Sequence, residues 1–212
     1  MAIFEKGKAR DIGLKTRAAA AEALDQASQA RLHTPREAAY WKEIREGRFN
    51  LGGDSKAFQS LPKRSVTVGG FRIGRFPVTV WEYGKYLEET GAAAPPDWED
   101  QSRHPGRPVV WVSWYEVRDY CAWAGCNLPT EEQWEFAARG AEGRIFPWGR
   151  EEPDEYRANY HPMADAPTPV GMFPDGDTPE GAADMAGNVW ELTRSDFGGG
   201  TKCMRGGGPS AA

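Results

Sequence analysis

The C-terminal part of the chain sets the strongest constraint on its fold. Residues 146–212 are dense in Gly, Pro and Asp, and only two short stretches there read as strands. These are Val189-Trp190-Glu191-Leu192 and Lys202-Cys203-Met204-Arg205. So long an irregular stretch inside a compact domain needs something besides backbone ladders to hold it. The 9 Trp, 16 Pro and 25 Gly residues of the 212-residue chain point to turn-rich structure pinned by large aromatics.

The rest of the chain is easier to divide. Alanine-rich residues 13–32 predict a helix. Thr34, Pro35 and Glu37 carry the N-cap, first-turn proline and capping-box signals of a second helix running into Trp41. Strands are expected at 49–51, turning at Gly52-Gly53, at 65–68 and at 71–73. Trp81, Tyr83, Tyr86 and Leu87 recur at helical spacing over 80–90, and Gly91 stops that helix. A loop over 92–108 leads to Val109-Val110-Trp111-Val112, read as a short buried strand. Ser113 with Glu116, and Thr130 with Gln133, mark the starts of two further helices, the second ending at Gly140. Residues 1–40 then form a helical extension, and 41–212 the main domain.

Composition excludes several function classes. Net charge is −5 and the basic residues are scattered, so no stripe suited to nucleic acid arises. No apolar run approaches a membrane span, and the charged N-terminus does not read as a signal peptide. A cytoplasmic location with no membrane partner is the expectation. Three cysteines, Cys121, Cys126 and Cys203, do not make a disulfide scaffold.

Several segments resemble the sulfatase-modifying-factor family, which includes the formylglycine-generating enzymes. They are FRIGRFPVTV at 71–80, PVVWVSWYE at 108–116 and LPTEEQWEFAARG at 128–140. FPWG at 146–149, RAN at 157–159, PVG at 169–171, DMAGNVWE at 184–191 and RGG at 205–207 follow in family order. The resemblance spans roughly residues 41–207. It implies an α+β, C-type-lectin-like fold with small antiparallel sheets, two to three helices and long irregular loops. That fold serves formylglycine-generating oxidases, the C–S-bond-forming oxygenases of ergothioneine synthesis and the variable binding proteins of diversity-generating retroelements, so it does not settle function.

Two departures from the family bear on chemistry. Val80 stands where relatives usually carry Asn, at a position read as a helix cap. In active formylglycine-generating enzymes the Arg-Gly-Gly motif is followed by a cysteine pair that binds copper(I). Here the chain reads Gly208-Pro209-Ser210-Ala211-Ala212. The domain is therefore read as C-terminally incomplete, and copper is not expected.

Cys121 and Cys126, five apart on a continuous helix, are separated by about 500° of rotation and so point to different sides. Cys203 reads as core. His33, His104 and His161 lack metal-ligand spacing. The resemblance implies calcium, with Asp184 and Glu191 side chains and Gly187 and Val189 carbonyls as ligands. A second calcium would draw on Asn159, the Tyr160 carbonyl and Asp165. Such hard oxygens suit calcium. Trp134, Phe146, Trp148 and Trp190 read as core, and Arg139 and Arg205 as ion-pair partners. The expected function is a non-catalytic module binding a protein or peptide ligand. The alternatives are a copper-dependent oxidase whose catalytic segment lies outside this chain, and a retroelement-diversified variable protein.

Overall fold

The computed structural model describes residues 2–53, 62–160 and 166–207. Its frame is a long two-stranded ribbon. β1 (Trp41–Ile44) runs antiparallel to β4 (Phe71–Gly74), and β2 (Gly47–Leu51) to β3 (Arg64–Val68). Trp41 lies opposite Gly74, Ile44 opposite Phe71, Gly47 opposite Val68 and Leu51 opposite Arg64. Both pairs thus share one register across the interruption at Arg45-Glu46 and Gly69-Gly70.

One face of this ribbon is apolar because Ile44, Phe49, Leu51 and Val68 fall on it, and α5 (Glu131–Arg139) covers them with Trp134, Phe136, Ala137 and Ala138. The approach is close. A Cβ on Gly47 would lie 2.6 Å from the Phe136 ring, so the β2–α5 contact requires glycine there. α5 begins with the capping box formed by Thr130 and Gln133.

A second core joins α2 (Val80–Thr90) to α4 (Trp114–Ala124), where the Tyr83 and Tyr120 rings stack at 5.7 Å. Ser113 and Glu116 close the capping box of α4. α2 is capped by Thr79, whose side chain accepts from the Glu82 N–H. Val80 is therefore the buried first residue of the helix, not its cap, and the loss of Asn there removes no capping bond. A short α3 (Trp98–Gln101) interrupts the 92–108 loop, and Trp98 packs edge-on to Tyr83.

α1 (Leu14–Ala27) supplies part of what holds the irregular C-terminal chain. Ala21 packs with Met172 and Phe173. Arg17, only 1% exposed, donates to the carbonyls of Ile12, Met172 and Glu155. Asp25 pairs with Arg31, which in turn donates to the Val170 carbonyl at 2.7 Å. Buried guanidinium groups thus satisfy carbonyls that have no strand partner. A final hairpin, β5 (Trp190–Gly198) and β6 (Thr201–Gly206), closes the domain beside α5.

This is the α+β arrangement of small antiparallel sheets, with five α-helical segments among the described residues. Two local expectations are corrected. Residues 36–41 do not form an α-helix: a 3-10 turn at Ala38–Tyr40 gives way to β1, because Trp41 is taken into the ribbon opposite Gly74. Residues 109–112 do not form a strand either. Val109 donates to Val78, the Val110 N–H goes to the Gln101 side chain, and Trp111 adopts a left-handed φ of 60° that breaks any ladder.

Candidate functional site

The ribbon, the 108–112 segment, the end of α4 and the β5–β6 hairpin surround a cavity of about 660 Å³. Its apolar walls include Trp41, Phe71 and Val110; Gln133, Asn188, Glu191 and Arg194 supply polar groups. Trp111, Trp190 and Met204 line it as well, and they are 46%, 47% and 52% exposed. Trp190 is thus not the core residue its setting suggested. Its indole stands at the cavity, at the start of β5. Trp134 is core as expected, at 6% exposed, and its Nε1 donates to Glu191 Oε2 at 3.1 Å. Phe146 and Trp148 are half-buried and stack on one another at 5.1 Å.

One side of the cavity is formed by the 184–191 loop, which buried polar groups hold in place. Asn188 is fully buried, and its Oδ1 accepts from the Thr168 N–H at 2.8 Å, the Thr168 hydroxyl and Asn159 Nδ2. Its Nδ2 donates to the Thr168 carbonyl, and its backbone N–H to the Asn159 carbonyl at 2.7 Å. Gly187 passes so close that a Cβ would lie 2.2 Å from that same carbonyl oxygen. Asp184, Asn188 and Trp111 all take left-handed φ values, 57°, 63° and 60°. Such backbone costs about 1–3 kcal/mol per residue and persists only where its surroundings enforce it.

The predicted metal-ligand residues fall in this region. Asp184 Oδ2 accepts from the Gly171 N–H at 2.6 Å. Burial raises the Asp184 carboxyl to about 6. Glu191 is raised to about 7, by burial first and by the Asp184 charge in addition. The Gly187 carbonyl accepts from Val189, and the Val189 carbonyl from Gly207. Asn159 Oδ1 is buried with no hydrogen-bond partner among the described residues. The Tyr160 hydroxyl donates to the Pro153 carbonyl, and Asp165 lies outside the described residues. Among the described residues no three His, Cys, Asp or Glu side chains converge as a metal cluster. His33 pairs with Glu37, His104 with Glu22, and His161 lies outside the described residues. Arg139 and Arg205 are the expected ion-pair residues, with Glu135 and Glu131 as partners.

The cysteines correct the sequence reading. Cys121 and Cys126 do not diverge; they adjoin, and both line the cavity. α4 ends at Gly125 in the left-handed conformation, and the chain doubles back. The Cys126 N–H donates to the Cys121 carbonyl at 3.0 Å and the Gly125 N–H to that of Ala122. This is a Schellman motif, which brings together the side chains on either side of the reversal. Cys203 is core, at 4% exposed. Sequence reasoning also missed a buried polar group nearby. Glu82 accepts from the Tyr120 hydroxyl and is hydrogen-bonded to Tyr40, and burial raises its carboxyl to about 7. Glu82 precedes Tyr83 in α2, and nothing in its spacing signals burial.

Comparison with known proteins places this geometry. A family model described as "Sulfatase-modifying factor enzyme 1-like domain" matches residues 29–210. The hercynine oxygenase of Mycobacterium tuberculosis is 36% identical over 169 residues, covering 63% of this chain and 40% of that protein. The inactive C-alpha-formylglycine-generating enzyme 2 of Bos taurus is 31% identical over 212 residues, covering 71% of this chain and 69% of its own length. The structure of PvdO from Pseudomonas aeruginosa superposes with a TM-score of 0.65 at 25% identity, covering 80% of this chain and 82% of that one. The chain spans less than half the length of the hercynine oxygenases it matches.

Proposed function

Since the chain belongs to the sulfatase-modifying factor enzyme family, whose members do not share one activity, we propose that it is a binding module which seats an extended peptide in the cavity and releases it unchanged. The observation that carries this reading is the cavity with Trp111, Trp190 and Met204 half-exposed around it. Ligand sites are typically clefts of roughly 300–1,000 Å³ with apolar walls and a few polar groups. Large apolar side chains left open together mark contact surfaces. An aromatic or branched apolar side chain of the peptide packs against the exposed indoles, with Arg194 among the polar groups of the lining. Similarity to a relative named as inactive is in keeping with binding without turnover.

A peptide array probed with the purified chain tests this. Peptides with an aromatic or branched apolar residue are expected to be retained. Trp190→Ala is expected to weaken binding about tenfold or more, with an unchanged melting temperature because Trp190 is 47% exposed. No retention above background, or equal binding by the variant, contradicts the proposal.

We also propose calcium as a structural ion beside this site. The supporting observation is Asn159 Oδ1, an oxygen buried next to the Asn188 loop with no hydrogen-bond partner among the described residues. Burying an unpaired acceptor costs about 1–3 kcal/mol, and a hard cation would offset it. Asp184, Glu191 and the carbonyls of Gly187, Val189 and Tyr160 are the further candidate ligands. An ion that binds only the folded chain stabilises it by about 2.7 kcal/mol at a hundredfold excess over Kd. The melting temperature is expected to rise with millimolar calcium relative to EDTA. Identical melts in the two buffers, with no calcium on elemental analysis, contradict it.

A further inference from the structure

The thiol pair at the end of α4 is used by neither reading above. Cys121 stands three positions before the helix end and Cys126 just beyond the Gly125 reversal, the two places a Schellman motif brings into contact. Both face the same cavity, Cys126 half-buried and Cys121 at 8% exposed. Cys126 is therefore the more reachable of the two from the cavity.

We propose that Cys121 and Cys126 are a redox-active dithiol, which reduces a small disulfide arriving through the cavity and closes to a Cys121–Cys126 disulfide. Cys126 releases its proton to solvent, and its thiolate attacks one sulfur of the incoming disulfide. A mixed disulfide forms as the S–S bond breaks, and the departing thiolate takes up a proton. Cys121 then loses its proton and attacks Cys126 Sγ. The protein disulfide forms, and the second small thiolate leaves and is protonated. The protein thiols give up two electrons and two protons, and the small disulfide becomes two thiols.

The electrostatics divide the roles in the same way. The Cys121 thiol donates toward Cys126 and holds the Cys126 thiol below its ordinary range. Cys121 is pushed up, by that hydrogen bond first and by burial next. A thiolate-prone attacker paired with a resolving thiol is what exchange requires. Cys203, packed in the core and hydrogen-bonded to its neighbourhood, serves as an internal control.

The test needs no peptide ligand and is independent of the binding proposal. The intact chain is incubated with oxidised glutathione, quenched with acid and mapped by mass spectrometry. The expected product is a bridged peptide containing Cys121 and Cys126 that has lost two hydrogens, with Cys203 free. C121S is expected to stop at a glutathione adduct on Cys126, and C126S to react about tenfold or more slowly than the unaltered chain. C121A, which keeps a small apolar group in the buried position, replaces C121S if that variant does not fold. Thiols that all stay free, stable glutathione adducts on the unaltered chain, or a C126S variant that reacts at the original rate would each overturn the proposal.

Discussion

Trp134→Ala is expected to lower the unfolding free energy by about 3–5 kcal/mol. Trp134 is 6% exposed and belongs to the core between α5 and the ribbon, beside Ala137, Ala138 and Met185. Truncation leaves a void that the ribbon cannot close, since the Gly47–Phe136 contact already holds it against α5. The same change removes the Nε1 donor from Glu191 and leaves that carboxyl buried with one partner fewer. Denaturant titration is the measurement. The expected result is a lower midpoint with an unchanged slope. A variant within about 1 kcal/mol of the unaltered chain would show that Trp134 is not core.

Asn188→Ala carries the second large effect, about 3 kcal/mol or more. The Asn188 side chain makes four buried hydrogen bonds. Its Oδ1 serves the Thr168 N–H, the Thr168 hydroxyl and Asn159 Nδ2, and its Nδ2 serves the Thr168 carbonyl. Alanine leaves all of these inside the protein without replacement. It also places a residue with no local hydrogen bond at a φ of 63°. Asn188→Asp is a useful contrast, since it keeps the acceptor oxygen but replaces the donor to the Thr168 carbonyl with a second carboxyl oxygen. Thermal melts are expected to rank unaltered above Asp and Asp above Ala. Equal melts for the unaltered chain and the alanine variant would contradict the network's role.

These two positions also show what could be read from the sequence. Features set by neighbouring residues were legible. The capping boxes at Ser113–Glu116 and Thr130–Gln133, and the stop at Gly91, depend on contacts within one turn. The Thr34–Glu37 signal was equally local, and the Thr34 N–H does meet the Glu37 carboxylate. Yet no helix follows, because Trp41 gains more from pairing in the ribbon. Trp111 and Trp190 sit in apolar runs that read as core, and only the tertiary arrangement leaves them at the cavity. The adjacency of Cys121 and Cys126 was hidden by treating the helix as continuous. The signal was present, however, since Gly125 one residue before Cys126 marks the reversal that brings them together. The buried Glu82 and Arg17 carried no such mark, because their partners include groups 38 and 155 residues away.

That the cavity binds a peptide and leaves it intact can be tested on the complex itself. A peptide selected from the array, and a variant of it carrying a cysteine, are incubated with the chain in air with calcium and copper supplied. Both are then recovered and weighed by mass spectrometry. Each peptide is expected to co-elute with the chain and to be recovered at its original mass. Oxygen-dependent conversion of the peptide cysteine, absent from controls lacking the protein, would contradict it and identify the chain as an enzyme.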